Sequence, residues 1–338
     1  MSERKLASVQ KVVSVRPIPD ADAIECVRVL GWDVVAKKGE FKAGDLCVYF
    51  EIDSVLPVVP EYEFLRKSCY VKKDWLQDGE GFRLKTVRLR KQVSQGLVVP
   101  VTLMGPMWDL LEEGEDLTAT LRVTKWDPPV PAQLSGLVKG NFPSFIPKTD
   151  QERIQNLPEV FNDPEIFHSH WEVTVKLDGS SCTVYEHEGN IGVCSRNLEL
   201  KMDQEGNTFV DLAKSIADRP WKELAIQGEA MGPGIQDNRE KLAKHELHVF
   251  DIYDITLGHY MSPTTVRSLC SAYGLKHVPV LHEKITMMEL GIFNIDDMLK
   301  FAEGASLNHP EREGVVFKRV NDDFSFKCIA NSFLLREK

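Results

Sequence analysis

The sequence predicts an α+β protein in two parts, a small N-terminal β-barrel followed by a larger domain of antiparallel sheets and helices. Three observations carry this. Residues 1–125 hold short β-prone runs divided by turn signals, residues 126–149 are rich in proline and glycine, and from 150 onward strand-like runs alternate with helical patterns. With 338 residues, 43 % hydrophobic and 27 % charged, the chain is long enough for two globular domains and too apolar for disorder.

In the first part, Val12-Val13-Ser14-Val15 leads into a turn at Pro17 and Pro19. A β-rich run over 26–35 breaks at Gly31, and Gly44-Asp45 opens the run Leu46-Cys47-Val48-Tyr49-Phe50-Glu51-Ile52. Strands of this length and spacing fit an OB-fold over 1–125. Pro128, Pro129, Pro131, Gly136, Gly140, Pro143 and Pro147 mark 126–149 as a linker, leaving 150–338 as the second domain.

There the spacing of Phe209, Leu212, Ala213 and Ile216 predicts a helix over 208–218. Ser262 is a suitable N-cap with Pro263 at the first helical position, opening a helix to Tyr273 that Gly274 ends; another covers 295–302. Strands are expected at 171–176, 181–186, 191–195, 224–229, 247–253, 314–318 and 324–329. No repeat or low-complexity tract interrupts the pattern.

Composition excludes some functions. No apolar run is long enough to span a membrane, and the N-terminus lacks a signal-peptide core. The seven cysteines, at 26, 47, 69, 182, 194, 270 and 328, form no C-x-x-C pair, so buried thiols in a reducing intracellular compartment are expected. The nine histidines show no zinc-binding spacing. A net charge of −10 argues against a general polyanion binder, yet residues 83–91, Arg-Leu-Lys-Thr-Val-Arg-Leu-Arg-Lys, hold five cations and no acid.

The chemistry centres on Trp171-Glu-Val-Thr-Val-Lys-Leu-Asp-Gly-Ser-Ser181. Trp171, Val173 and Val175 fall on one side of a strand and Glu172, Thr174 and Lys176 on the other, which delivers Lys176 to a sheet rim before an Asp178-Gly179 turn. Lysine at such a rim is a candidate amine nucleophile. Further polar groups recur at strand ends: Ser195-Arg196-Asn197, Gln227-Gly228-Glu229, Phe250-Asp251, Glu313-Gly314-Val315-Val316-Phe317-Lys318 and Lys327 within Phe324-Ser325-Phe326-Lys327-Cys328-Ile329.

In this order the segments resemble the covalent nucleotidyltransferase superfamily of polynucleotide ligases and messenger-RNA capping enzymes. Its Lys-x-Asp-Gly motif is matched by Lys176, Asp178 and Gly179, its Glu-Gly-x-Val-x-Lys motif by Glu313 and Lys318, and the others by Arg196, Glu229, Phe250 with Asp251, and Lys327. Within that superfamily the chain most resembles ATP-dependent RNA ligases with an N-terminal OB domain that seal nicks. Gly31-Trp32-Asp33-Val34-Val35, Gly44-Asp45-Leu46-Cys47-Val48-Tyr49 and Phe145-Ile146-Pro147-Lys148-Thr149-Asp150 extend the likeness beyond the motifs. One position departs: many RNA ligases have Lys-x-Lys in the last motif, and here Ile329 stands third.

The resemblance implies an ATP-grasp-like ligase domain working through lysyl-AMP on Lys176 and then adenylylated RNA. Lys318 and Lys327 would neutralise the α-phosphate and depress the Lys176 pKa. Asp178, Glu229 and Glu313 would hold Mg²⁺ or Mn²⁺ directly or through its waters. Phe250 would stack on adenine, Arg196 and Glu229 would hold the ribose, and Lys148 and Arg153 would orient pyrophosphate unless a helix cap at Thr149 or Asp150 claims that segment. Only eleven residues follow Lys327, so a C-terminal OB domain of the DNA-ligase and capping type does not fit. The expected partner is RNA, as a nicked duplex or RNA/DNA hybrid, with the barrel either gripping the strand through 83–91 or acting as a prop. The chain is expected to be a monomer with no membrane association. The competing readings are a DNA ligase, a capping guanylyltransferase, and an OB-fold RNA-binding protein with an inactive transferase domain.

Overall fold

The computed structural model describes residues 4–127 and 136–336, and the chain forms two compact units, Met1–Pro129 and Val130–Lys338. In the first unit the 11-residue strand Ala7–Pro17 organises the sheet. Its first half pairs with Leu46–Phe50 and its second half, past an irregularity between Val12 and Ser14, with Ile24–Val29. One long strand serving two neighbours along its length curls the sheet. Leu97–Pro100 and Trp32–Lys37 complete this five-stranded sheet, and Thr124–Lys125, Ser54–Leu56, Glu80–Arg83 and Tyr70–Lys72 form a second. Val9, Val48, Phe50, Leu56, Phe82 and Val99 pack together from both. Each such side chain contributes about 1.5–3 kcal/mol on burial. The expected barrel is therefore a curled pair of sheets around one core. A separate ribbon joins Thr86–Leu89 to Gln92–Gln95.

Among the described residues the second unit has two sheets. The larger runs Val138–Asn141, Leu198–Leu200, Asn190–Cys194, Ser180–His187, Leu224–Met231, Glu246–Asp254 and His259–Tyr260, with Lys276–His277 pairing parallel to Glu246–Asp254. The smaller runs Glu152–Arg153, Ser325–Ile329, Gly314–Arg319, Trp171–Lys176 and Val280–Ile285. The strands expected from sequence are present, and Ile295–Ala302 forms a helix whose Asn294 side chain caps the first turn. Ser262 caps Pro263–Ala272 as expected, and Gly274 beyond it has φ 63°. The helix expected over 208–218 ends earlier, as Thr208–Ile216, consistent with Pro220 close behind.

The linker expectation needs correction. Pro128, Pro129 and Pro131 lie outside the described residues, but Val138–Asn141 pairs with Leu198–Leu200, and Phe142 and Ile146 are buried against Tyr185, Cys194 and Ala225. Proline and glycine here shape an irregular segment on a sheet, not a free spacer. The helix considered at Thr149 or Asp150 does not form: Thr149 bonds Ser181 through hydroxyls 2.7 Å apart, and a short strand follows. Six of the seven cysteines are buried. No helix among the described residues is long and apolar enough to cross a membrane.

Candidate active site

Strand alternation sets the site. Trp171 and Val173 are fully buried in one core with Phe317 and Phe326, where Trp171 meets Phe326 edge-on at 5.3 Å. The opposite face of the same strand carries Glu172, Thr174 and Lys176. Register then fixes the neighbours: Lys176 lies across from Gly314, Glu172 from Lys318, Val316 from Lys327, and Lys327 from Arg153. Lys176, Lys318, Lys327 and Arg153 therefore share one face. Glycine at 314 is required, since a Cβ there would sit 2.1 Å from the Cys328 carbonyl oxygen. At Gly179, a Cβ would lie 2.5 Å from the Ala230 carbonyl oxygen and 2.8 Å from Glu229, so the turn after Lys176 packs directly on the Glu229 strand.

The Lys176 ammonium donates to Glu313 at 2.8 Å, and 25 % of its side chain is still open to solvent, enough for a substrate to reach. Burial pulls its pKa down, but Glu313, Glu229 and Asp178 outweigh this and hold it above the ordinary value. This overturns the expectation that neighbouring lysines depress it. The depressed amine is Lys327, brought to about 7 by burial and by Lys176, Arg153 and Arg196, against Asp150. The carboxyls answer in the other direction. Burial and Glu313 raise Asp178 to about 6, against Arg239 and Lys176; burial raises Glu229 to about 7, with Glu313 and Asp178 adding to it against Lys176. Three crowded carboxyls around one ammonium need further positive charge before all can be ionised at little cost.

Lys318 stands apart from this group. Its ammonium is held by the Phe250 carbonyl and by Asp251 at 2.8 Å, linking the two sheets. Phe250 is half-buried beside Val175, Leu177, Met231 and Val278, so one ring flank is fixed by the core next to the Lys176 strand. Arg196 is exposed and donates to Asp150 at 2.6 Å, while Lys148 reaches Asn197 at 3.4 Å. Arg153 is buried at the edge of the smaller sheet. Ile329 is buried as well, so no third cation stands in the last motif.

Sequence reading missed Arg239. Its guanidinium lies 3.9 Å from Asp178, donates to the Glu311 carbonyl at 3.1 Å and sits 4.9 Å over the Phe333 ring. Only its loop, with positive φ at Gln236, Asn238 and Lys241, brings it there, and no periodic pattern signals such a path. Among the described residues no three Asp, Glu, His or Cys side chains converge into a direct metal shell. Asp178, Glu229 and Glu313 are hard oxygen donors turned toward one amine, an arrangement that fits a hydrated divalent cation gripped through its waters.

Comparison with known proteins agrees with this geometry. The OB-fold domain profile matches residues 6–101 and the RNA ligase profile residues 169–329. Across nearly the whole chain the structure resembles Naegleria gruberi RNA ligase. An aspartate-to-alanine variant without ligand is 42 % identical over 99 % of this chain and 98 % of that one, with TM-score 0.87. A lysine-to-alanine variant of that enzyme with ATP and Mn is 40 % identical over 98 % and 99 %, TM-score 0.87, and its form with pyrophosphate is 42 % identical over 98 % of both chains, TM-score 0.86. No curated protein sequence matches the chain. With both domains accounted for and this identity sustained from end to end, the chain belongs to the RNA ligase family.

Proposed function

We propose that this ATP-dependent RNA ligase adenylylates itself on Lys176 and seals 3′-hydroxyl to 5′-phosphate ends at nicks in duplex RNA or RNA/DNA hybrid. The observation that carries the reading is a single amine at a strand end, 2.8 Å from Glu313, sharing its sheet face with Lys327 and Arg153.

Lys176 rests as an ammonium and must lose its proton before it attacks. Its lone pair then forms a P–N bond to the α-phosphorus of ATP as the bond to pyrophosphate breaks. An oxygen of the RNA 5′-phosphate next takes the AMP, breaking the P–N bond and returning the amine. The 3′-hydroxyl finally attacks the 5′-phosphorus, losing its proton while AMP departs. Displacement in line at phosphorus depends on positioning and charge neutralisation. Lys327, and Lys318 once released from Asp251, supply charge at the α-phosphate. Lys148 and Arg153 hold the departing pyrophosphate, and Arg196 and Glu229 orient the ribose. Asp178, Glu229 and Glu313 would hold a divalent cation, Mn²⁺ or Mg²⁺, whose charge would add to the neutralisation of the phosphates.

Phe250→Ala is expected to weaken ATP use by about 1–3 kcal/mol, the scale of a lost base–aromatic contact. Measured ATP affinity that does not change would leave the ring as core alone. The substrate reading is tested with nicked duplexes whose 3′-hydroxyl strand is RNA or DNA. Efficient joining is expected with RNA on that side, and equal rates on all-DNA nicks would contradict it.

A further inference from the structure

The ribbon of Thr86–Leu89 and Gln92–Gln95 closes in a two-residue turn, since Leu89 and Gln92 are its last paired residues. Arg90 and Lys91 fill that turn, with φ of 48° and 68°. A two-residue hairpin matching the twist of its strands needs positive φ at both positions, which Asn-Gly supplies at least cost. A side chain with a Cβ resists that region. Among the described residues this is the one place where two successive non-glycine residues both have positive φ; the Glu188–Gly189 turn uses glycine second. An unfavourable backbone retained where a better sequence is available directs attention to the side chains.

Those side chains are cations. Arg88, Arg90 and Lys91 are exposed, and Val87 and Leu89 beside them are each 43 % exposed. Gln92 ties the ribbon to Asp33 at 3.4 Å, and Asp33 in turn receives both Arg16 and, at 2.8 Å, Arg28. One carboxylate facing two guanidiniums leaves the base of the ribbon positive too. This concentration stands in a chain of net charge −10. Protection of a sheet edge would account for charges along the strands but not for strained cations at the tip.

We propose that this ribbon docks on the sugar–phosphate backbone of the RNA substrate, with Arg88, Arg90 and Lys91 on phosphates. The proposal rests on the RNA ligase reading and adds which part of the chain holds the polynucleotide. Charge complementarity selects this occupant, since a polyphosphate strand is the partner that rewards clustered cations by counterion release.

The turn allows a clean test in the full-length protein. Arg90→Asn combined with Lys91→Gly removes two charges while restoring the preferred turn, so the melting temperature should equal or exceed that of the wild type. Binding to a nicked, 5′-phosphorylated RNA duplex without ATP should weaken about tenfold near physiological salt, and the slope of log affinity against log salt should fall by about two. Arg88→Gln, which leaves the turn alone, should lower the slope by about one. Lysyl-AMP formation, which involves no RNA, reports separately on the ligase chemistry. A wild-type protein that neither forms lysyl-AMP nor binds the duplex would strike the ligase reading. Wild-type behaviour intact, with affinity and salt slope unchanged in both variants, would overturn the ribbon proposal.

Discussion

Lys176→Met is expected to abolish lysyl-AMP formation while joining of a pre-adenylylated RNA nick continues at a measurable rate. The first step makes a bond to the Lys176 amine, and the last makes none. Loss of a covalent nucleophile costs on the order of 10⁴-fold or more. Replacement amines are poorly placed: Lys318 is held by Asp251 at 2.8 Å, and Lys327 lies two strands away across Val316. Methionine preserves length and apolar bulk, so strand pairing with Gly314 should persist. The two steps are separated by following labelled ATP onto protein in one assay and sealing of a chemically adenylylated nick in the other. Label on the Met variant at the wild-type rate would move the nucleophile elsewhere.

Glu229→Gln should lower lysyl-AMP formation by about 10²–10³-fold, on the scale of losing one pre-organised charged group, and yet stabilise the protein. Burial first, then Glu313 and Asp178, raise its folded pKa from the ordinary 4.5 to about 7. The unfolded chain therefore gives up this proton more readily. The site is destabilising above the unfolded pKa, and the penalty grows until about pH 7 and then stays constant. The amide carries no such penalty. Solvent reaching the partly buried side chain reduces the full linkage value, leaving a gain of about 1–2 kcal/mol at pH 8, or a melting point higher by about 2–6 °C. The gain should shrink toward pH 5, where both proteins are neutral at this position. A variant less stable than wild type at pH 8 would contradict the electrostatic account of the site.

Much of this was legible in the sequence because period-two alternation ties side-chain direction to position. Trp171, Val173 and the lysine three residues beyond could be assigned to opposite faces from spacing alone, and the cap at Ser262 fixes a helix start locally. What alternation cannot carry is pairing between distant strands. Lys327 shares the sheet face of Lys176 because Ser325–Ile329 pairs beside Gly314–Arg319, and the resulting inversion, a depressed Lys327 and a raised Lys176, depends on that register. Arg239 reaches Asp178 through a loop of left-handed residues that no pattern announces. The segment 136–149 misled for a related reason: its turn residues are plain in the sequence, whereas the burial of Phe142 and Ile146 depends on a sheet made from residues far along the chain.

The central claim is that Lys176 carries the adenylyl group on its way to RNA. Incubating the wild-type protein with α-labelled ATP and Mn²⁺, mapping the labelled peptide, and then adding a nicked, 5′-phosphorylated RNA duplex tests it most directly. The account predicts one adenylyl group on Lys176 that is lost from the protein as the nick is sealed. Label on any other residue, or label on Lys176 that does not transfer to RNA, would contradict it.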